Sequence, residues 1–266
     1  MPKIKVNNIN IYYEIHGDGF PFIMIAGMGA SLDSWTPALI ERISNRFKTI
    51  IFDNRGVGKT DKPDIPYSIK MMADDTISLM DALNIKRAHI FGHSMGGCIA
   101  QEMILNYPRR VEKLVLCSTD CGGSKAVWPQ VEIFQTFEKV HTEILTLEET
   151  IHIAASIFVT EETIKNNPKL IEEEFRRYFK IRIPIYSLKH QGVAKGHFNS
   201  YRRLKNINNP TLIMQGKKDI ITPLKNADIL NKVISGSKVV LFDSAAHNIY
   251  YDVPEKFVKT LLDFLK

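Results

Sequence analysis

Cysteine is scarce: the 266 residues contain three, and no two of them form a C-x-x-C pair. An odd set of this kind, two of its members inside apolar segments, argues against a disulfide framework. Long uncharged runs are missing as well, and no stretch reaches the length of a membrane span. The first residues, MPKIKVNNINIYYEIHG, alternate polar with apolar and carry no continuous apolar stretch of the signal-peptide kind, so the cytoplasm is the expected location. There is no internal repeat and no low-complexity segment. Net charge is +6, from 35 Lys and Arg against 29 Asp and Glu, but the basic residues are interleaved with acids and form no stripe with aromatics. Neither nucleic acid nor membrane is therefore an expected partner. His16, His89, His141 and His152 have no partner at metal-ligand spacing, and no metal is expected. What is left is ordinary for a globular protein, 44% hydrophobic and 24% charged, long enough for one large α/β domain or two small ones.

Apolar periodicity then gives the organisation. Ile4 to Val6 and Ile9 to Ile15 alternate around Asn7-Asn8, a good turn pair, and read as an antiparallel hairpin. After Gly17-Asp18-Gly19 comes an apolar strand, Phe22 to Ile25, a turn rich in glycine, and an amphipathic segment through Trp35 and Leu39. Strands over Phe47 to Phe52, Ala88 to Phe91 and Val111 to Cys117 alternate with helices over Met71 to Leu83 and Cys98 to Tyr107. Short buried strands separated by helices imply parallel crossover units with helices on both faces of the sheet. From about Cys121 to Leu204 only helical patterns occur (Val131 to Val140, Glu148 to Phe158, Leu170 to Phe179, Ile185 to Val193). Alternation returns with Thr211 to Met214, Ala227 to Val233, Val239 to Phe242 and a last helix from about Pro254. The expected layout is a core of residues 1–120 and 206–266, interrupted by a helical insertion over 121–205.

One pentapeptide bears chemistry. Gly92-His93-Ser94-Met95-Gly96 lies between an apolar strand and a helix, where small neighbours let the two elements approach and a strained turn presents a serine hydroxyl. The helix N-terminus behind it favours developing negative charge. A serine needs a base, and the base an orienting carboxylate. His247, in Ser244-Ala245-Ala246-His247, follows the last apolar strand. Asp219, in Gly216-Lys217-Lys218-Asp219, follows the strand Thr211 to Met214. Both belong at the C-terminal rim of a parallel sheet, where such sheets gather their ligand sites. Asp120, after the strand ending at Cys117, is the rival acid. His93, next to the nucleophile, reads as structural, its side chain leaving the turn in another direction.

These features resemble the α/β-hydrolase superfamily, and the likeness covers nearly the whole chain. Besides the pentapeptide and the order Ser, Asp, His, the segment Asp53-Asn54-Arg55-Gly56-Val57-Gly58 resembles the family's D-x-R-G-x-G loop. Pro210 to Asp219 with Pro223 resembles its acid loop, and Ala246-His247-Asn248 with Pro254 and Phe264-Leu265 its base loop and last helix. The resemblance implies a mostly parallel eight-stranded sheet with helices on both faces, the insertion forming a cap or lid. It implies Ser94 as nucleophile, Asp219 as acid and His247 as base. The backbone N–H groups of Met28 and Met95 would form the oxyanion hole. Asp219 is preferred to Asp120 because Gly216 and Pro223 match the commoner arrangement. Many relatives carry His where Ala26 stands, a residue that commonly braces the oxyanion loop. Asp53 is read as a loop-organising carboxylate paired near Arg55. Candidate lid residues lining a substrate pocket are Trp128, Phe134, Phe137, Phe158, Tyr186 and Leu188.

The expected activity is that of a serine hydrolase on small to medium carboxylic esters or lactones, in a monomer or homodimer. No G-x-G-x-x-G follows a first strand, and no organic cofactor is expected. The same three residues also serve carbon–carbon bond hydrolysis of ring-cleavage products and cofactor-free perhydrolysis. A ligand-sensing protein with negligible turnover is the reading from another class.

Overall fold

The computed structural model describes residues 3–142 and 145–266, and it contains one eight-stranded sheet. The strands are β1 (Lys3–Val6), β2 (Ile9–His16), β3 (Pro21–Ile25), β4 (Lys48–Phe52), β5 (Ala88–His93), β6 (Val111–Cys117), β7 (Thr211–Gly216) and β8 (Lys238–Phe242). Their spatial order is β1-β2-β4-β3-β5-β6-β7-β8. Only β1 with β2 and β2 with β4 pair antiparallel; every later pair is parallel. In the opening hairpin Val6 stands opposite Ile9, and Asn7 takes the positive φ of 49° that the two-residue turn demands. The fold is the one anticipated from the alternation of strands and helices.

Strand side chains point alternately to the two faces, so a sheet covered on both sides needs apolar residues at every position. Phe22 to Ile25 of β3 meet this, and so do Ile90 and Phe91 of β5, which buries His89 and His93 beside them. Ile23, Ile25 and Ile90 enter one apolar layer, while Phe22, Met24 and Phe91 enter the other. Each such side chain contributes about 1.5–3 kcal/mol when fully buried. The helices packed on these layers are α1 (Pro37–Ser44), α2 (Ile69–Ala82), α3 (Met95–Asn106), α9 (Lys225–Val233), α10 (Ile249–Asp252) and α11 (Pro254–Leu265). Hydroxyl caps start the first two: Thr36 accepts from the N–H of Leu39, and Ser68 from that of Met71. The amphipathic segment is divided locally. The segment through Trp35 and Leu39 is not one amphipathic helix, because a 3₁₀ turn (Leu32–Ser34) precedes extended Trp35 and the helix starts only at Pro37.

Between β6 and β7 run α4 (Val131–Thr142), α5 (Leu147–Phe158), α6 (Glu161–Asn166), α7 (Pro168–Tyr178) and α8 (Ile185–Gly196). The short α6 has too few residues to show a period. The two ends of this segment meet: Gly122 and Asn199 form an isolated antiparallel bridge, and the Ser200 N–H donates to the Cys121 carbonyl at 2.9 Å. Among the described residues no helix is long and apolar enough to cross a membrane.

Candidate active site

Ser94 joins β5 to α3 with φ 55° and ψ −123°, a conformation that costs a non-glycine residue about 1–3 kcal/mol and must be held by its surroundings. Three bonds hold it. The Ser94 N–H donates to the Cys117 carbonyl at 3.0 Å, and the Ser94 carbonyl accepts from the Gly97 N–H at 2.9 Å and the Thr119 hydroxyl at 2.7 Å. The glycines around it leave no room for a side chain: a Cβ on Gly92 would lie 2.3 Å from the Gly96 carbonyl oxygen, and one on Gly96 2.1 Å from that of Ile25.

Past the C-terminal end of β8 stands His247, 1% exposed, its Nδ1 donating to Asp219 Oδ2 at 2.9 Å. Asp219, in the loop after β7, is itself pinned by three further donors. Its Oδ1 accepts the N–H groups of Ile221 and Thr222 at 2.9 and 2.8 Å, and its Oδ2 the Gln215 side-chain amide at 2.9 Å. The rival carboxylate does something else. Asp120 Oδ1 accepts from Lys195 Nζ at 2.8 Å and the Gly122 N–H at 2.7 Å. Ser94 and His247 line one cavity; no hydrogen bond joins the Ser94 hydroxyl to the ring, a looseness common before substrate binds.

His93 holds backbone, as its structural reading expects, but its side chain does not leave the site. Its ring lies 4.7 Å from that of His247, and it lines the same cavity. Its Nε2 donates to the backbone carbonyl of His247 at 3.1 Å, which also accepts the Ser118 hydroxyl at 2.8 Å. Burial, with the neighbouring His247, pushes His93 down to about 3, so the ring is neutral and its Nε2 carries the proton that the carbonyl requires.

Met28 and Met95 both line the cavity, and among the described residues no acceptor takes either backbone N–H. Without a histidine at 26, the loop carrying Met28 is braced from two other sides. Asn54 donates its amide to the Ala26 carbonyl at 3.0 Å, and Gln191 of α8, fully buried, accepts the Gly29 N–H at 2.9 Å. Gln191 also donates to the Arg55 carbonyl at 2.7 Å. Sequence reasoning missed this brace, because the residues it joins are 162 and 136 positions apart. Asp53 is not paired with Arg55, which forms a buried ion pair with Asp75 at 2.8 Å. Asp53 instead accepts the N–H groups of Leu32 at 2.7 Å and Lys59 at 2.6 Å, and burial pushes it up to about 6.

The cavity holds about 270 Å³ and is walled mainly by apolar side chains. Trp128, Phe134, Phe137 and Phe158 line it. Tyr186 and Leu188 do not: Tyr186 donates its hydroxyl to the Lys62 carbonyl at 2.9 Å, and Leu188 sits on the buried face of α8 beside Ser187, Gln191 and Ala194. Helical spacing placed both residues on α8, but the face that reaches the cavity carries Gly192, Lys195 and Gly196. Tyr178, Tyr250 and Ile133 complete the wall without having been singled out from sequence.

A family model described as the alpha/beta hydrolase fold matches residues 21–254. The chain belongs to that family. Among curated relatives, a protein of Azorhizobium caulinodans named "Putative carbamate hydrolase RutD" is 28% identical, over 99% of this chain and 98% of its own. Two solved structures share the fold. The enol-lactonase from Burkholderia xenovorans LB400 superposes with a TM-score of 0.85 at 24% identity, covering 99% of both chains. The meta-cleavage product hydrolase from Pseudomonas fluorescens IP01 does so with 0.85 at 23%, covering 100% of this chain and 97% of that one. Hydrolysis is the class of chemistry that this membership brings.

Proposed function

We propose that this hydrolase cleaves small to medium carboxylic esters or lactones through an acyl-enzyme, with Ser94 as nucleophile, His247 as general base and Asp219 as its orienting acid. The observation that carries the reading is the buried 2.9 Å contact between His247 Nδ1 and Asp219 Oδ2, which leaves Nε2 of a ring lining the Ser94 cavity as the nitrogen available for proton transfer. His247 takes the Ser94 proton as the oxygen attacks the carbonyl carbon. The tetrahedral oxyanion accepts from the N–H groups of Met28 and Met95, which have no other acceptor among the described residues to give up. His247 protonates the departing alkoxide, and a water that it then deprotonates releases the acid and restores Ser94. Residues 121–205 act as the lid over a core of 1–120 and 206–266, and a cavity of about 270 Å³ favours short acyl chains.

A second reading, hydrolysis of a carbamate, is favoured by the relative named for it, which aligns along 99% of the chain. The two differ at the carbonyl: a carbamate presents nitrogen where an ester presents carbon, and the same nucleophile would form a carbamoyl-enzyme. The test is turnover of p-nitrophenyl acetate, butyrate and octanoate and of phenyl carbamate, by the wild type and by Ser94→Ala. Loss of the nucleophile should lower turnover on the order of a millionfold. Ester activity that falls with Ser94 supports the first reading, and carbamate turnover exceeding it the second. Rates unchanged in Ser94→Ala would overturn both.

A further inference from the structure

Helix α8 contributes only three residues to the cavity wall, Gly192, Lys195 and Gly196, so that Lys195 is its one side chain there. Space lies open beside it: a Cβ on Gly196 would have nothing within 4 Å, and one on Gly192 only the Met28 sulfur at 3.9 Å. The Lys195 ammonium is 2.8 Å from Asp120 Oδ1 and 4.5 Å from the centre of the Trp128 ring, and Asp120 and Trp128 line the cavity too. Both charged side chains are mostly buried, with 14% and 11% exposure. The pair is not saturated. Among the described residues Lys195 gives its N–H groups to no acceptor besides Asp120, and Asp120 Oδ2 accepts from no donor. A free donor and a free acceptor thus stand side by side in an otherwise apolar wall. Asp120 follows Thr119, whose hydroxyl holds the Ser94 carbonyl, which places the pair next to the nucleophile's turn.

We propose that Lys195 and Asp120 form a specificity subsite for an uncharged group that donates and accepts hydrogen bonds on neighbouring atoms, a carboxamide being the fitting case. The amide oxygen accepts from Lys195 Nζ and the amide N–H donates to Asp120 Oδ2, while the adjoining chain packs on Trp128. The pair is electrically neutral, and this decides what it rejects. A ligand carboxylate would meet Asp120, and a ligand ammonium would meet Lys195; in a dry pocket, like charges are costly on either side. Hydrogen bonds to charged partners are the strong ones, so the matched neutral ligand gains most.

The proposal takes from the hydrolase reading only that this cavity holds the substrate, and the test is a binding measurement that needs no turnover. 4-Phenylbutyramide, 4-phenylbutyrate and 4-phenylbutylamine are titrated calorimetrically into the wild type, Asp120→Asn and Lys195→Met. In the wild type the amide should bind about tenfold more tightly than either charged ligand. Asp120→Asn leaves a lone cation and should move first place to the carboxylate; Lys195→Met leaves a lone anion and should move it to the amine. Lys195→Gln, which keeps a donor toward Asp120, covers the case in which the Met variant does not fold. One ranking shared by all variants, or no binding of any of the three to the wild type at millimolar concentration, overturns the subsite. Ser94→Ala should keep the wild-type ranking, so a failed subsite and a failed hydrolase reading give different results.

Discussion

The two walls of the cavity are built in different ways. On the sheet side every residue of β5 and β7 is buried, and the turn at Ser94 is gripped by backbone bonds and by glycines that admit no Cβ. On the side of the helices between β6 and β7, apolar residues stand in the open: Trp128 is 47% exposed, Phe134 53% and Val131 60%. One wall is over-determined and holds strained or desolvated groups in one geometry. The other is weakly determined and can change its side chains at little cost to folding. Two side chains of α8 reach across toward Ser94, Gln191 onto the loop bearing Met28 and Lys195 onto Asp120. On the proposed function, chemistry belongs to the sheet wall, selection to the helical wall, and coupling to those two residues.

The sharpest way to break this assignment is on the sheet wall. Asp219→Asn should leave the protein folded, since Asn at this position can still accept from the N–H groups of Ile221 and Thr222. It should lower kcat by about 10⁴-fold by presenting the wrong partner to His247 Nδ1. Ester kinetics with thermal unfolding as the fold control check it, and a loss below tenfold would remove Asp219 from the mechanism.

The next effect tests a coupling residue. Gln191→Leu keeps the volume of the buried side chain but leaves the Gly29 N–H without an acceptor and frees the loop bearing the Met28 N–H. An oxyanion donor acts in the transition state, so kcat should fall about 10- to 100-fold with KM nearly unchanged. Equal changes in kcat and in melting temperature for Gln191→Leu and for a buried apolar control such as Leu188→Ala would mean that Gln191 only packs.

How legible all this was in the sequence follows the same division. The sheet, the strand order's alternation with helices, the turn at Ser94 and the loops bearing Asp219 and His247 are carried by local signals. These are apolar runs of five or six residues, glycines where two backbones touch, and a proline opening α11. The contacts of the helical wall are not local. Period placed Tyr186, Leu188 and Gln191 on one helix, ending it at Val193 and so short of Lys195, yet the period alone does not tell which face meets the cavity. The glycines at 192 and 196 do that by omission. The direction of the His93 side chain and the partner of Arg55 were misread for a related reason: the groups that orient them, the His247 carbonyl and Asp75, lie 154 and 20 residues away.

A smaller effect probes the buried contact between the two histidine rings. Burial pushes His93 down to about 3 from its ordinary 6.5, so as pH falls the unfolded chain takes up a proton that the folded chain refuses. Stability is therefore lost from about pH 6.5 downward, by about 1.4 kcal/mol per pH unit, until the folded ring titrates near 3. His89, pushed down to about 4 by burial and by Lys113 and Arg87, acts in the same sense. His93→Gln keeps a donor for the His247 carbonyl and has nothing to protonate. Urea unfolding between pH 6 and 4 should show a slope shallower by about 1.4 kcal/mol per pH unit. An unchanged slope would mean that the ring is charged in the folded protein.

The smallest effect, that of Phe134→Ala, sharpens the comparison most directly when set against the truncation of a second phenylalanine. Phe91 on β5 is 0% exposed, and Phe134 on α4 is 53% exposed while lining the cavity. Truncating Phe91 removes a side chain packed against Phe22, Trp35 and Phe257, and Phe91→Ala should cost about 3–5 kcal/mol of stability. Phe134→Ala removes a wall without removing a foundation. Stability should stay within about 0.5 kcal/mol of the wild type. The pocket widens at its mouth, so kcat/KM for the octanoate ester should rise against butyrate by about 10-fold or less, the range that a methylene or two in an apolar pocket can command. A melting temperature that falls as far for Phe134→Ala as for Phe91→Ala would make the helical wall part of the folding core. The division of labour between the two sides of the cavity would then be lost.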